Sequence, residues 1–291
     1  MKEARRRRRF SRRRFLRLAA AGAAAGLVVA GGSAVINERF HIQKTRREIE
    51  IRGLPADFDG FRIAHLTDLH HGRHVPIDLI DDAVEASNSL APDLVVLTGD
   101  YVTGSARFAA PCAEALKRLR APFGVIAVLG NHDYWAGVRA VSEALAGAGA
   151  QVLKNHHRVL ARGAGQLAVV GVDDLWTGGS DGEAALAGLA PGITRLLLTH
   201  NPDFIEEMPD LQVSLALAGH THGGQIGLPI LQGLAVPSRY GGKYAEGLVQ
   251  GPTTRVYVNR GVGTVGLSLR VFCRPEVALI VLRCPAGTAA A

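Results

Sequence analysis

Short apolar runs alternate with amphipathic segments along most of the chain, and this pattern predicts alternating strands and helices. Ile77, Ile80 and Val84 recur at helical spacing, and aspartates fall in the first turn, so residues 77–90 predict a helix. Two further helices are predicted at 109–119 and 138–148. Buried strands are predicted at 61–67, 94–98, 125–129, 167–172, 196–199, 213–218, 255–259 and 277–282, and an edge strand at 46–52.

Apolar strands of four to six residues that alternate with helices indicate an α/β fold whose sheets are covered on their faces. The second half of the chain has fewer helical segments and more glycine turns, so a mixed or partly antiparallel sheet is expected there. The chain has 291 residues, of which 47% are hydrophobic, which is enough for one large domain. One domain is favoured over two because the motifs described below must converge on one site.

Basic residues are concentrated at the amino terminus. Residues 1–17 contain ten basic side chains against one acidic, whereas the remainder holds 23 basic and 25 acidic side chains. The formal net charge of +7 therefore comes from the amino-terminal segment. A nucleic-acid-binding domain carries its basic patch on the folded surface. We therefore expect no nucleic-acid partner.

The amino-terminal segment resembles an export signal. Residues 11–17, Ser-Arg-Arg-Arg-Phe-Leu-Arg, match the twin-arginine pattern, and twenty uncharged residues rich in Ala and Gly follow. A plain membrane anchor at 18–36 is the alternative, since an uncharged stretch of this length can nearly span a bilayer. We predict a twin-arginine signal or membrane anchor at 1–36 and a linker at 37–47. Either form places the domain outside the cytoplasm, and a signal implies the twin-arginine translocase as a partner.

Five of the predicted strands are each followed directly by a polar cluster. The clusters are Asp68-Leu69-His70, Gly99-Asp100, Gly130-Asn131-His132-Asp133, Thr199-His200 and Gly219-His220-Thr221-His222. Ligands bind at the carboxyl ends of strands in α/β sheets, so these clusters are expected to meet at one place. One such cluster is weak evidence, but five in succession indicate a metal site.

The order DxH, GD, GNHD, His and GHTH resembles the calcineurin-like metallophosphoesterase superfamily over residues 48–284. Residues 219–226, together with Pro237-Ser238 and Tyr244, resemble its YkuE/YaeI-like branch of exported or membrane-associated phosphoesterases. The resemblance implies an α/β fold, an α/β/β/α sandwich of two mixed β-sheets flanked by helices. Residues 285–291 are then expected to be a disordered tail.

The resemblance also implies two divalent metal ions. The first ion is expected on Asp68, His70, Asp100 and His222, and the second on Asp100, Asn131, His200 and His220. Asp100 is the natural bridging carboxylate, because it stands alone on a tight glycine turn. The mixed nitrogen and oxygen ligands suit Mn, Fe or Zn, and we favour Mn.

Two residues next to the ligands have catalytic roles by the same resemblance. His132 is expected to protonate the leaving oxygen while Asp133 orients its ring, and a metal-bridged hydroxide attacks phosphorus. The alternative is that His132 only bonds to the scaffold. Thr103 stands where purple acid phosphatases place a metal-binding tyrosine, so a tyrosinate-ligated ferric site is not expected.

Three residues are candidates for substrate binding. Arg73 and Asn201 lie near ligands in the sequence, and Arg239 lies in a Gly-rich loop after the GHTH cluster. For Arg239 a solvated loop is an equal alternative. Cys112, Cys273 and Cys284 have no metal-like spacing, and we expect them to be small hydrophobic residues rather than a disulfide framework.

These features favour a metal-dependent phosphodiesterase or phosphomonoesterase that acts on phosphate esters of the cell envelope. A scaffold that has lost its chemistry would lack ligands or the general acid, and this chain lacks none of them. A second alternative is a membrane-associated pyrophosphatase that faces the cytoplasm and cleaves UDP-sugar-linked lipids. The twin-arginine pattern argues against it, because that substrate is made inside the cell.

Overall fold

The computed structural model describes residues 38–227 and 236–285. Its strands are β1 (Gln43–Glu50), β2 (Arg62–Leu66), β3 (Leu94–Thr98), β4 (Val125–Val128), β5 (Ala150–Val152), β6 (His156–Arg162), β7 (Gly165–Gly171), β8 (Thr194–Leu198), β9 (Leu215–Ala218), β10 (Gly247–Gln250), β11 (Arg255–Val258) and β12 (Glu276–Arg283). Its α-helices are α1 (Ile77–Ser89), α2 (Ala109–Leu116), α3 (Asn131–Gly147), α4 (Gly182–Leu186) and α5 (Phe204–Glu207). Short 3₁₀ helices are Glu38–Phe40, Ala56–Phe58, Ala106–Phe108, Pro209–Leu211, His222–Gly224 and Gly241–Tyr244.

The strands form two six-stranded sheets, and both are mixed. The first has the order β1-β12-β2-β3-β4-β5, in which β12 is antiparallel to β2 and the other neighbours are parallel. The second has the order β10-β11-β9-β8-β7-β6, with antiparallel pairs only at its two edges. The expected mixed pairing is confirmed, and it extends to the first sheet because the last strand inserts there.

Apolar side chains on both faces of the strands divide the core into three layers. One cluster, including Ile63, Val96 and Leu217, lies between the two sheets. A second packs helices α1, α2 and α3 on the outer face of the first sheet, and a third packs α4 and α5 on the outer face of the second. Burial on both faces explains why the central strands are continuously apolar. The predicted α/β/β/α sandwich is confirmed.

Several elements differ from their predicted bounds. The helix predicted at 138–148 begins at Asn131 and is kinked at Gly137, where φ is 128°. Polar side chains in its first turn hid the helical period. β5, β6 and β10 were not predicted, because they are short or carry mostly exposed residues.

The linker predicted at 37–47 is wrong over its second half. β1 begins at Gln43 and pairs in parallel with β12 along its whole length. The edge strand predicted at 46–52 therefore exists but begins three residues earlier; β1 buries only Ile49, so its first residues give little sequence signal.

The predicted signal or anchor at 1–36 lies outside the described residues, as does the predicted tail apart from Pro285. Within 38–227 and 236–285, no helix combines the length and apolarity that crossing a membrane requires. The three cysteines are free, as expected, and Cys112 and Cys273 are buried.

Candidate metal centre

The five polar clusters meet at the carboxyl ends of β2, β3, β4, β8 and β9. Backbone hydrogen bonds join their loops: Asp68 N–H donates to Gly99 O at 3.0 Å and His70 N–H to Asp100 O at 2.9 Å. In the second sheet, Gly219 N–H donates to His200 O at 3.0 Å. The sandwich therefore brings residues far apart in sequence to one place.

Asp68, His70 and His222 form the first group of ligand atoms. His222 Nε2 lies 3.3 Å from Asp68 Oδ1, and His70 Nε2 lies 3.7 Å from the same oxygen. The two histidine nitrogens are 3.0 Å apart. All three side chains are buried, so three ligand atoms face one small volume from which bulk water is excluded.

Asp100, His200 and His220 form the second group. His200 Nε2 lies 3.2 Å from Asp100 Oδ2 and 3.1 Å from His220 Nδ1. His200 Nδ1 is 2.7 Å from Thr98 O, to which it donates, and this leaves Nε2 as the ligand atom of the neutral ring. Asp100 Oδ2 also lies 3.5 Å from His70 Nε2, so Asp100 stands between the two groups.

Unpartnered polar atoms show that these residues suit a cation. Asp68 Oδ1 and Asn131 Oδ1 are buried and accept no hydrogen bond within the described part of the chain. A buried oxygen without a partner is costly, and a metal ion would satisfy it. Carboxylate, amide and imidazole groups together match the ligands of divalent first-row transition metals. The predicted ligands therefore fit a dinuclear metal site.

The backbone at the ligands is held in an uncommon conformation. Positive φ values between 49° and 71° occur at Asp68, His70, Asp100, His220 and His222. A left-handed conformation at a residue other than glycine is uncommon, and such residues cluster at functional sites. Here it turns the side chains of adjacent loops toward a common centre.

Glycines in the motifs permit close approach. A Cβ atom at Gly130 would lie 2.3 Å from Asp100 Oδ1, and one at Gly219 would lie 2.0 Å from Thr67 Oγ1. No side chain fits at these distances. The glycines of the GNHD and GHTH motifs are therefore needed to pack the ligand loops together.

The buried charges shift one another's pKa values. Burial would raise the pKa of Asp68 and Asp100, but the neighbouring histidines hold both well below their usual range. Burial opposes charge on His200, yet Asp100 raises the pKa of His200 to about 10, so the ring must lose its Nε2 proton to become a ligand. Burial and the nearby His200 lower the pKa of His220 to about 3. The site therefore keeps both carboxylates ionised, as ligands must be.

Comparison with known proteins identifies the family to which this chain belongs. Residues 61–224, more than half of the chain, match the family described as calcineurin-like phosphoesterase. The chain belongs to this family. Members of the family use a dinuclear metal centre, and this phosphoesterase is a metal-dependent phosphoric ester hydrolase.

Two relatives of this phosphoesterase cover most of its length. An uncharacterized metallophosphoesterase, YkuE of Bacillus subtilis, is 35% identical over 83% of this chain and 86% of its own. The phosphodiesterase YaeI of Escherichia coli is 38% identical over 76% of this chain and 82% of its own. Among solved structures, the 5′-nucleotidase precursor from Thermus thermophilus aligns with a TM-score of 0.48 and 17% identity, over 76% of this chain and 54% of that one.

Supporting residues that the sequence did not indicate surround the ligands of the phosphoesterase. Thr103 Oγ1 lies 2.7 Å from His70 Nδ1 and so orients that ring. His65 Nε2 lies 2.8 Å from Thr98 Oγ1, so this ring bonds to the neighbouring strand β3. Arg270 is fully buried, and its guanidinium donates to the backbone oxygens of Arg260, Gly261, Gly263 and Cys273.

His132 lies at the edge of the metal centre. Its ring packs edge-on against His70 and Trp135, with centroids 4.7 Å apart in both pairs. Its backbone N–H donates to Asp100 Oδ1 at 2.8 Å. The ring is half-buried, and burial lowers the pKa of His132. Its nitrogens also come within reach of His70 and Asp100 as a third possible ligand group.

Asp133 does not orient His132, contrary to the expectation. Its two oxygens accept the backbone N–H groups of Asp100, Tyr101 and Gly130, each at 2.9 Å. Asp133 is therefore a fully buried clamp that joins the loop after β3 to the start of α3. The Gly-x-x-Asp spacing, in which Asp133 is the third residue of α3, could have predicted the bond from Gly130 N–H, as in a capping box, but not the bonds from Asp100 and Tyr101.

The three candidate substrate-binding residues have different surroundings. Arg73 is exposed and lines a cleft together with His70. Asn201 is buried, its Oδ1 accepts Asp203 N–H, and its Nδ2 has no partner within the described residues. The Arg239 guanidinium forms an ion pair with Glu207 at 2.8 Å. Arg239 would have to break this pair to contact a substrate.

Proposed function

We propose that this phosphoesterase hydrolyses phosphodiesters, and more slowly phosphomonoesters, with two divalent metal ions at the outer side of the cytoplasmic membrane. The main observation in support of a reaction with two metal ions is the position of Asp100 Oδ2. It lies 3.5 Å from His70 Nε2 and 3.2 Å from His200 Nε2. One carboxylate oxygen thus faces both groups of ligands, as a bridging ligand must. The name of the relative YaeI supports the choice of a diester.

The first ion would be held by Asp68, His70, Asp100 and His222, and the second by Asp100, Asn131, His200 and His220. Bound there, the ions would polarise the phosphoryl oxygens and lower the pKa of a water molecule near them. The mixed nitrogen and oxygen ligands support Mn, Fe or Zn, and we favour Mn.

The protein's own groups would complete the reaction. A ring nitrogen of His132 would donate a proton to the leaving oxygen, since the ring borders the ligand groups and is only half-buried. Burial lowers the pKa of His132, which makes its protonated ring a stronger acid. Asp133 and Thr103 would hold the ligand loops and the His70 ring in place.

An assay with a synthetic diester and a synthetic monoester tests the proposed reaction. The full chain is chelated, reloaded with Mn, Fe or Zn, and assayed with bis(p-nitrophenyl) phosphate and p-nitrophenyl phosphate. We expect activity to vanish on chelation and to return best with Mn, with the diester preferred. A folded, metal-loaded protein that cleaved neither compound would refute the proposed reaction.

The proposed location rests on residues 11–17, whose pattern is read as an address by the twin-arginine translocase. Replacing Arg12, Arg13 and Arg14 by Lys keeps the charge but removes the guanidinium groups. We expect the variant to accumulate inside the cell, protected from protease added to spheroplasts, while the parent is digested. If both proteins stay inside and bound to the membrane, the cytoplasm-facing lipid pyrophosphatase becomes the better hypothesis.

A further inference from the structure

A cleft of about 450 Å³ opens beside the metal centre. Its walls come from three loops, at 72–75 after β2, 103–108 after β3 and 264–268 before β12. Of the seven predicted metal ligands, only His70 lines it. The cleft therefore adjoins the metal centre at His70, and its volume suits a small organic substituent of a substrate.

The charge on this cleft is positive. Arg73 and Arg107 line it, and no Asp or Glu is among its described lining residues. Neither guanidinium forms an ion pair within 38–227 and 236–285, whereas Arg239 pairs with Glu207 and Arg260 with Glu276. Arg107 stacks on the Phe108 ring, with its guanidinium carbon 4.7 Å from the ring centroid. This stacking holds the Arg107 guanidinium at the wall of the cleft and leaves its N–H groups available to donate hydrogen bonds.

We propose that this arginine cleft binds a second anionic group of the substrate. The inference rests on the proposed phosphodiesterase reaction, in which the scissile phosphate lies at the ligands and an ester arm extends past His70. Arginine presents paired N–H donors that match the oxygens of a phosphate, phosphonate or carboxylate. The preferred substrates are therefore phosphodiesters whose second arm is itself anionic.

A matched pair of substrates isolates this arm. Ethyl p-nitrophenyl phosphate and 2-phosphonoethyl p-nitrophenyl phosphate share the scissile bond and the leaving group, and differ in the charge of the second arm. We expect the parent to have the higher kcat/KM on the phosphonoethyl compound. The advantage should shrink as salt is raised, because exposed charges are screened.

The variant Arg73→Gln/Arg107→Gln removes both charges and keeps polar side chains at both positions. Its kcat/KM on the phosphonoethyl compound should fall by about 10–100-fold, mainly through KM, since a charge-assisted hydrogen bond contributes roughly tenfold or more. Its kcat/KM on the ethyl compound should fall by a clearly smaller factor, because that compound has no second anionic group, so the ratio between the two substrates should shrink toward one. Arg139→Gln is the control, because Arg139 is exposed, lies outside the cleft and pairs with Glu143.

The outcomes distinguish the two proposals. A parent that shows no preference for the anionic arm, or a double variant that loses both substrates equally, overturns the arginine cleft and leaves the reaction standing. If neither compound is cleaved, the proposed function fails, and calorimetry with chelated full-length protein still tests the cleft. There the parent should bind the phosphonoethyl compound more tightly than the ethyl compound, and the double variant should not; equal binding by the parent overturns the cleft.

Discussion

The carboxylate of Asp133 accepts the backbone N–H of Asp100 at 2.9 Å. This buried hydrogen bond ties the first turn of α3 to the loop that carries the residue facing both ligand groups. Burial and the charge of Asp100 raise the pKa of Asp133 to about 7, and the bonds from Gly130 and Tyr101 oppose that rise. Asp133, which directly follows the candidate general acid His132, therefore bonds to the loops that carry the metal ligands.

Asp133→Asn should therefore lower both metal content and stability. An asparagine side chain has one acceptor oxygen, so its NH₂ group would face at least one of three backbone donors. We expect a loss of about 2–4 kcal/mol in the free energy of unfolding, because a buried donor is left unsatisfied. Urea denaturation with and without chelator measures it, alongside metal analysis.

A double variant separates this role from orientation of His132. If Asp133 acted only through that ring, Asp133→Asn would have no further effect on activity in a His132→Ala background. The structure predicts a further loss, together with lost metal, in that background. If Asp133→Asn left the metal content unchanged and lowered activity only when His132 is present, Asp133 would instead act by orienting the His132 ring.

Asp100→Ala and His132→Ala should have different effects. Asp100→Ala removes the carboxylate between the two ligand groups, so metal and activity should be lost together. His132→Ala should keep both metals and lose about 10²–10⁴-fold in turnover, the usual contribution of a general acid. The loss should be smaller for substrates with good leaving groups. Metal analysis decides the role, since loss of metal from the His132 variant would make that residue a ligand.

The ligands could be predicted because each follows a strand, and the strands of both sheets end at the same edge. Asp68, Asp100 and His200 are examples: each comes after a largely apolar strand. The direction of an individual side chain could not be predicted in the same way. Successive residues of a helix point about 100° apart, so His132 and Asp133 face different surroundings although they are adjacent.

Arg270 shows a second limit of the sequence pattern. It lies in a loop without periodicity, and arginine is rarely buried completely, so nothing in its neighbours indicates a core position. Thr103 is similar, because its bond to His70 depends on how two loops approach each other. Contacts of this kind follow from the tertiary fold and carry no local signal.

Arg270→Lys should destabilise the protein despite its unchanged charge. The Arg270 guanidinium reaches four backbone oxygens, and a lysine ammonium has three donors without the planar fork. We expect a loss of about 2–4 kcal/mol, since buried carbonyl groups are left without partners. Chemical denaturation measures it. Arg274→Lys is the control, because Arg274 is exposed and pairs with Glu38. Equal stability of Arg270→Lys and the parent would contradict the role of the fork.

Glu276 is a buried carboxylate that joins the two sheets. Its Oε1 accepts the hydroxyls of Thr45 at 2.6 Å and Tyr257 at 2.7 Å, and its Oε2 accepts Arg260 N–H at 3.0 Å. Burial opposes its ionisation, but Arg260 and these donors hold the pKa of Glu276 below its ordinary value of 4.5.

A lowered pKa in the folded state makes the contribution of Glu276 to stability dependent on pH. The contribution is complete above the pKa of glutamate in the unfolded chain, and it is lost as the pH falls below about 4.5 through the folded value. At pH 7 we expect Glu276→Gln to be less stable than the parent by about 1–3 kcal/mol, because an amide group replaces one acceptor. The difference should shrink as the pH falls toward about 3.

Urea denaturation of chelated protein across this pH range measures the difference in stability. The control is Glu48→Gln, at an exposed glutamate, which should show a smaller pH-dependent difference. A difference that stays constant with pH would mean that Glu276 stabilises the fold by packing rather than by its charge.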